Sequence, residues 1–174
     1  MERDGEGWIC DKCGNRHDGL ITCFGPDEPF AWHQASRIAR LRGALERSLC
    51  TIKVDGQQQY FARGHLRISL IEYDEPYFAW NVWVQIDEET FGQIIDTWED
   101  PTRIELPPSK GVLDTALPYS HETTGLQVEL HHSAPGEVPQ VFVTAAAGHP
   151  LREEQLEGMT VHRLAELNAI ALGA

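Results

Sequence analysis

Tyr77-Phe78-Ala79-Trp80-Asn81-Val82-Trp83-Val84-Gln85-Ile86 runs directly into Asp87-Glu88-Glu89-Thr90-Phe91. In the first ten residues, Phe78, Trp80, Val82, Val84 and Ile86 fall on every second position. Successive side chains of a strand point to opposite faces, so these five share one face and Trp83 points to the other. The aromatic and β-branched content agrees with a strand. The period then changes. The Asp87 carboxylate is placed to cap a helix whose first turn holds Glu88 and Glu89, both favourable beside the free N–H groups there. Phe91, Ile94, Ile95 and Trp98 recur at helical spacing and predict a helix over residues 88–98, closed by Pro101.

On the N-terminal side, residues 58–72 read as a strand with Tyr60, Ala62, Leu66, Ile68 and Leu70 apolar. The pattern slips near Gly64, where a bulge or bend is expected. Residues 50–54 form a shorter strand joined through the turn signal Asp55-Gly56. Ile38, Leu41, Leu45 and Leu49 predict a helix over residues 35–49, weakened by Gly43, with Arg37, Arg40 and Arg47 largely off its apolar stripe. On the C-terminal side, Pro107, Pro108, Gly111 and Pro118 make residues 101–122 mostly loop. Residues 125–132 and 138–144 read as two strands around Ser133-Ala134-Pro135-Gly136. Helices follow over 151–157 and 161–171, separated at Gly158, with Thr160 as the second N-cap. Strands in the middle and helices toward the ends predict an α+β fold with a central, mostly antiparallel sheet and flanking helices. A chain of 174 residues suits one domain and is short for two. We expect a single domain over 1–174, with 1–33 as a metal-knuckle segment and 34–174 as the α+β body.

Acidic residues outnumber basic ones 27 to 14, for a net charge of -13. A phosphate backbone or an anionic membrane would be repelled by most of such a surface, whereas a basic protein partner would be attracted. The simpler reading is that the charge serves solubility. No apolar run approaches the roughly 20 residues that span a bilayer, and the polar start Met1-Glu2-Arg3-Asp4 is unlike a secretory signal. The expected location is the cytoplasm.

Three of the four cysteines, Cys10, Cys13 and Cys23, lie in the Gly- and Pro-rich N-terminal segment, and Cys50 follows later. Two thiolates in a Cys-x-x-Cys turn can face one ion, and Gly14 lets the backbone fold back past the second sulfur. Soft sulfur with imidazole favours zinc over magnesium or calcium. Cys10 and Cys13 are the strong pair. The remaining ligands of a closed site would come from His17, Cys23, Cys50 or a more distant histidine. The alternative of a redox pair is weaker, because Gly14-Asn15 continues as a turn and not as a helix. Cys50, between Leu49 and Ile52, also reads simply as a buried thiol.

Arg63 beside Gly64 could be aimed into a cleft to hold a carboxylate or phosphate. A cross-strand ion pair is the simpler role. His131 and His132 are adjacent on a strand and must face opposite sides. His149 precedes Pro150 at a helix start, where it could be a base but more simply caps the helix. Arg63, His131 and His149 together make a candidate pocket. The chain has no nucleophile elbow, zinc-protease motif, P-loop or dinucleotide fingerprint.

Several separated stretches carry a resemblance: Cys10-Asp11-Lys12-Cys13-Gly14-Asn15-Arg16-His17, Cys50-Thr51-Ile52, Phe61-Ala62-Arg63-Gly64, Trp80-Asn81-Val82-Trp83-Val84, Leu117-Pro118-Tyr119, His131, and His149-Pro150-Leu151 with Gln155, Gly158 and Thr160. In these the chain resembles, over nearly its whole length, the bacterial family designated domain of unknown function 2199. The resemblance implies Cys10, Cys13, His17 and Cys50 as the zinc ligand set, since the family pattern has no cysteine at the place of Cys23. The chain departs from that pattern at Asn81, Ser69 and Arg152-Glu153, none of them a proposed ligand. The resemblance implies no particular activity. The leading expectation is a zinc-stabilised, non-enzymatic accessory or protein-interaction domain, such as an immunity-type binder of a basic protein. The alternative is a metal-dependent or histidine-based hydrolase or transferase built on Arg63, His131 and His149.

Overall fold

The computed structural model describes residues 2–4, 7–9 and 16–172, with residues 2–4, 7–9, 16–18, 145 and 172 given by backbone alone. Strands β1 (Glu2–Asp4), β2 (Gly7–Ile9) and β3 (Arg16–Asp18) make a small antiparallel sheet. They are followed by β4 (Cys23–Phe24), α1 (Phe30–Gln34), α2 (Arg37–Arg42), β5 (Ala44–Leu45), β6 (Leu49–Val54), β7 (Gln57–Ile71) and β8 (Tyr77–Ile86). Next come α3 (Glu88–Asp96), a 3-10 turn (Pro101–Glu105), β9 (Ser109–Leu113), β10 (Gln127–His131), β11 (Gln140–Ala145), α4 (Pro150–Glu157), β12 (Met159–Thr160) and α5 (Val161–Leu172). The fold is mixed α+β with a sheet-dominated core and several helices, as the alternation of periods predicts.

The sheet closes on itself. Strands β7 to β11 run up and down as antiparallel neighbours, and β11 returns to pair with β7. Five alternating strands can close only through one parallel pair, and the β11–β7 pair is parallel. Closure removes two sheet edges that would otherwise need protection. β6 and β5 extend the sheet past β7, while β4 lies parallel to β8. Inside the barrel, Ala62, Leu66, Val82, Val84, Leu113, Val128, Leu130 and Val141 form one core. A barrel this small is filled by its own side chains. Leu151 of α4 and Leu164 and Leu167 of α5 join the same core.

Gly64 has a different role from the bulge expected of it. The β7–β8 register runs without a shift from Tyr60 opposite Ile86 to Ser69 opposite Tyr77. A Cβ on Gly64 would collide with Cγ2 of Val141 and lie 3.0 Å from the Pro139 carbonyl oxygen. The missing side chain lets β7 approach β11 closely enough to close the barrel.

Trp83 points away from the barrel core, as its place in the alternation predicts. It joins Cys50, Ile52 and Phe61 in a second cluster on the outer face, covered by Ala31, Trp32, Ala35 and Ala39 of the α1–α2 segment. Asp114 fastens that cover: its Oδ2 accepts from the Ala31 N–H at 2.9 Å and its carbonyl from the Phe30 N–H at 2.9 Å. The helix predicted over residues 35–49 is shorter. It stops at Gly43, and Ile38 and Leu41 are 64% and 75% exposed. Leu45 and Leu49 belong to strands. Residues 101–122, expected as loop, contain the 3-10 turn and β9, the strand that links β8 to β10. The Asp87 cap forms as predicted, its Oδ1 accepting from the Thr90 N–H at 2.7 Å. Among the described residues, no helix is long and apolar enough to cross a membrane.

Candidate functional site

The outer face of β7 carries Phe61, Arg63, His65 and Arg67 in succession, at every second residue. The facing residues of β8 are Gln85, Trp83, Asn81 and Ala79. At the level of Phe61 and Trp83, the α1–α2 segment covers this face. Beyond it the cover stops, and Arg63, His65 and Arg67 line an open cleft of about 950 Å³. Its other walls are Tyr77 and Asn81 of β8, Glu46 to Leu49, Ile95 and Trp98 beside α3, and Gly136 to Val138 in the turn between β10 and β11.

Each basic group has a definite setting. The Arg63 guanidinium lies 5.0 Å from the Trp83 ring centroid and donates through Nη2 to the Pro26 carbonyl at 2.8 Å. Trp83 Nε1 donates to the same carbonyl at 3.3 Å. The Asp27 carboxylate, 3.6 Å from Arg63, is fully exposed and therefore a weak partner. Gly25 allows this segment to lie against β8, because a Cβ there would collide with the Asn81 carbonyl. Arg67 stacks 4.5 Å from the Tyr77 ring centroid. Its buried Nε has no hydrogen-bond partner, and neither has that of Arg63. Between them, His65 is held below the usual histidine range, first by burial and then by the charge of Arg67, with Arg63 adding to the effect and a hydrogen bond to Asn81 opposing it.

The cleft thus gathers Arg47, Arg63 and Arg67 against Glu46 and Glu137, on a chain whose net charge is -13. Stacking on aromatic rings fixes the guanidinium planes while leaving N–H groups free. Such an arrangement can hold a carboxylate or phosphate by charge-assisted hydrogen bonds. His65 adds a positive charge only when protonated, and a bound anion favours that form.

The structure separates the three pocket residues expected from the sequence. Arg63 lines the cleft, but His131 and His149 do not. His131 sits on β10 with Nε2 3.3 Å from the Glu129 carboxylate and its ring 4.6 Å from that of Phe142. His149 caps α4: its Nδ1 accepts from the Leu151 N–H at 3.2 Å, and its Nε2 is 3.1 Å from the Glu122 carbonyl. Both ring nitrogens are thereby engaged in local structure. His131 and His132 do face opposite sides, the first half-exposed and the second buried.

Of the proposed zinc ligands, Cys10 and Cys13 lie outside the described residues. His17 is placed by its backbone in β3, opposite Trp8 of β2. Cys50 is buried in the outer cluster, its thiol pushed up to about 12 by burial first and by Asp114 and Glu28 next. Cys23 is exposed on β4. Among the described residues, no three or more histidine, cysteine or acidic side chains converge as a metal site. The sequence points to Arg63 in this cleft but not to His65, Arg67, Asn81 or Tyr77. The available signal was Arg63-Gly64-His65-Leu66-Arg67 itself, three cationic or imidazole groups on one face of a strand whose other face is apolar.

Neither the curated proteins nor the solved structures contain a match to this chain. The sequence model of one family, described as an uncharacterized protein conserved in bacteria, matches residues 9–159, which include the whole barrel and every cleft residue. The chain belongs to the bacterial family designated domain of unknown function 2199.

Proposed function

We propose that the protein is a non-enzymatic binding module that recognises an anionic group, carboxylate or phosphate, in the cleft on the outer face of β7 and β8. The observation that carries this reading is Arg67. Its guanidinium is fixed against Tyr77, its Nε is buried without a partner, and no carboxylate among the described residues pairs with it. A guanidinium held ready in this way supports a ligand that arrives from outside. A basic protein partner would meet the acidic residues outside this cleft, so the two modes of binding are separable. Calorimetric titration with inorganic phosphate and with a small dicarboxylate tests the reading. Arg67→Ala should weaken binding at least tenfold and leave the fold intact, while Arg152→Ala, away from the cleft, should leave binding unchanged. If neither anion binds the wild-type protein, or if Arg67→Ala binds as well, the reading fails.

A structural zinc is a second reading, and the β2–β3 hairpin favours it. Ile9 pairs with Arg16, so the Cys10-to-Cys13 stretch connects two antiparallel strands, with His17 one residue beyond that pair. A Cys-x-x-Cys pair between two strands is compatible with a zinc knuckle. Cys10, Cys13, His17 and Cys50 are the proposed ligands, and zinc would take the place of the thiol protons. Elemental analysis of untagged protein should give about one zinc per chain, lost together with folded structure on chelation and absent from Cys50→Ser. Wild-type protein without metal would end this reading.

A further inference from the structure

The apolar stripe of α3 serves two surfaces. Phe91 and Ile94 pack in the barrel core. Ile95 joins neither apolar cluster among the described residues, is 49% exposed, and lines the cleft together with half-buried Trp98. Trp98 is held in place. Arg103 lies 4.9 Å from its ring centroid and donates through Nη1 to its carbonyl at 3.2 Å, and the Gly136 N–H donates to the same carbonyl at 2.9 Å. Val138, two residues beyond Gly136, continues this apolar wall. It precedes Pro139, whose carbonyl accepts from the His65 N–H at 2.9 Å, so the wall stands beside His65.

The charged floor decides where a head group goes. Arg63 and Arg67 are four residues apart on one strand face, roughly 13 Å. Stacking turns them toward Trp83 and Tyr77, which are farther apart still along β8. A single carboxylate therefore reaches only one of them. Arg63 already spends Nη2 on the Pro26 carbonyl and has Asp27 beside it, which leaves Arg67. Three arginines and two glutamates line the cleft, and His65 is held below its usual range, so at neutral pH the lining carries one net positive charge. That complements a monoanion better than a phosphate dianion. The volume of about 950 Å³ is at the upper end of the range for sites that take whole small molecules, so a bare carboxylate would leave most of it empty.

We propose that the cleft takes a small amphiphilic monocarboxylate, its head on Arg67 and its apolar body along Ile95, Trp98 and Val138. This ligand class rests on the anion reading of the cleft and narrows it. Arg67 and His65 are two residues apart, roughly 7 Å, so only a body of several carbons extends from the head to the wall. Each methylene that reaches the wall leaves water, which raises affinity roughly two- to fourfold.

NMR titration of isotope-labelled protein with acetate, butyrate, hexanoate and octanoate, each below its micelle-forming concentration, tests the class. The Arg67 Nε–H signal should move with every acid and the Trp98 indole N–H signal only with the longer ones, while affinity climbs along the series. Ile95→Gln keeps a good helix former at an exposed position and should lower the gain per methylene. Arg67→Ala should weaken octanoate at least tenfold. Leu156→Gln, an exposed apolar position on α4 outside the cleft, should change neither. If acetate moves the Arg67 signal but octanoate binds no more tightly, the amphiphile is refuted and the anion reading stands. A gain per methylene that Ile95→Gln leaves intact also refutes it, because the body then lies elsewhere. If neither the acids nor phosphate bind, both fail together.

Discussion

Gly64→Ala tests how the barrel closes. Gly64 lies in a strand and does not have a positive φ, so backbone entropy alone would make alanine stabilising by about 0.4–1 kcal/mol. Against this, the new methyl would collide with Val141 Cγ2 and press on the Pro139 carbonyl oxygen at 3.0 Å. Overpacking of this kind costs about 1–3 kcal/mol, and the carbonyl belongs to the backbone that pairs with His65. The expected net effect is a loss of about 1–2 kcal/mol, a fall in Tm of about 2–8 °C for a chain of this size. Val141→Ala alone removes buried methyl groups at a cost of about 2 kcal/mol. Val141→Ala also removes the atom that Gly64→Ala collides with, so the double variant should be more stable than the sum predicts by about 1 kcal/mol. Denaturant titration of the four proteins measures this directly. A rise in stability with Gly64→Ala, or strict additivity of the two changes, would refute the close approach of β7 to β11 as the reason for the glycine.

Tyr119→Phe removes a hydroxyl that accepts from Trp80 Nε1 at 3.1 Å and donates to the Glu154 carboxylate at 2.6 Å. It leaves the buried indole N–H unpaired, and we expect a loss of about 1–3 kcal/mol in the same titration. His65 is held below its ordinary value of 6.5 in the folded protein. As pH falls from that value toward the lower folded one, the unfolded chain takes up a proton that folded His65 refuses, so stability declines. His65→Gln should flatten this part of the acid limb without abolishing it, because buried His132 is shifted in the same direction; Tm against pH between 7 and 5 reads the difference. Cys50 keeps its proton well above its ordinary value and is buried. An alkylating reagent followed by peptide mapping should label exposed Cys23 quickly in native protein and Cys50 only after unfolding.

The elements legible in the sequence are those whose periodicity is strong and local. Residues 77–86 show their two faces by alternation, and Asp87 announces the next helix. Barrel closure has no comparable local signal. It rests on Gln140 meeting His65, far apart in the chain, and on β9, which is hidden between Pro108 and Pro118. Its alternation covers only Gly111 and Leu113, which are buried. The failure at residues 35–49 has a different cause. Ile38 and Leu41 have helical spacing, but the helix contributes Ala39 to the outer cluster and turns those larger residues to solvent. Within the site, Arg63 was conspicuous because of the glycine beside it. His65 and Arg67 form a set with Arg63 only because the α1–α2 cover stops short of them, which no local pattern encodes.

The parallel seam between β7 and β11 has a mechanical consequence. Its register is a single bridge, supplemented by the His65 N–H donating to the Pro139 carbonyl at 2.9 Å, whereas β8 pairs with β7 over ten residues. Thermal breathing should therefore unzip the barrel along this line first, and native-state hydrogen exchange should find the His65 amide among the earliest to lose protection. His65 lies on both the seam and the cleft, and Val138, the neighbour of Pro139, also lines the cleft. A ligand spanning them would clasp the opening, so the cleft's occupant would act as a latch on the barrel.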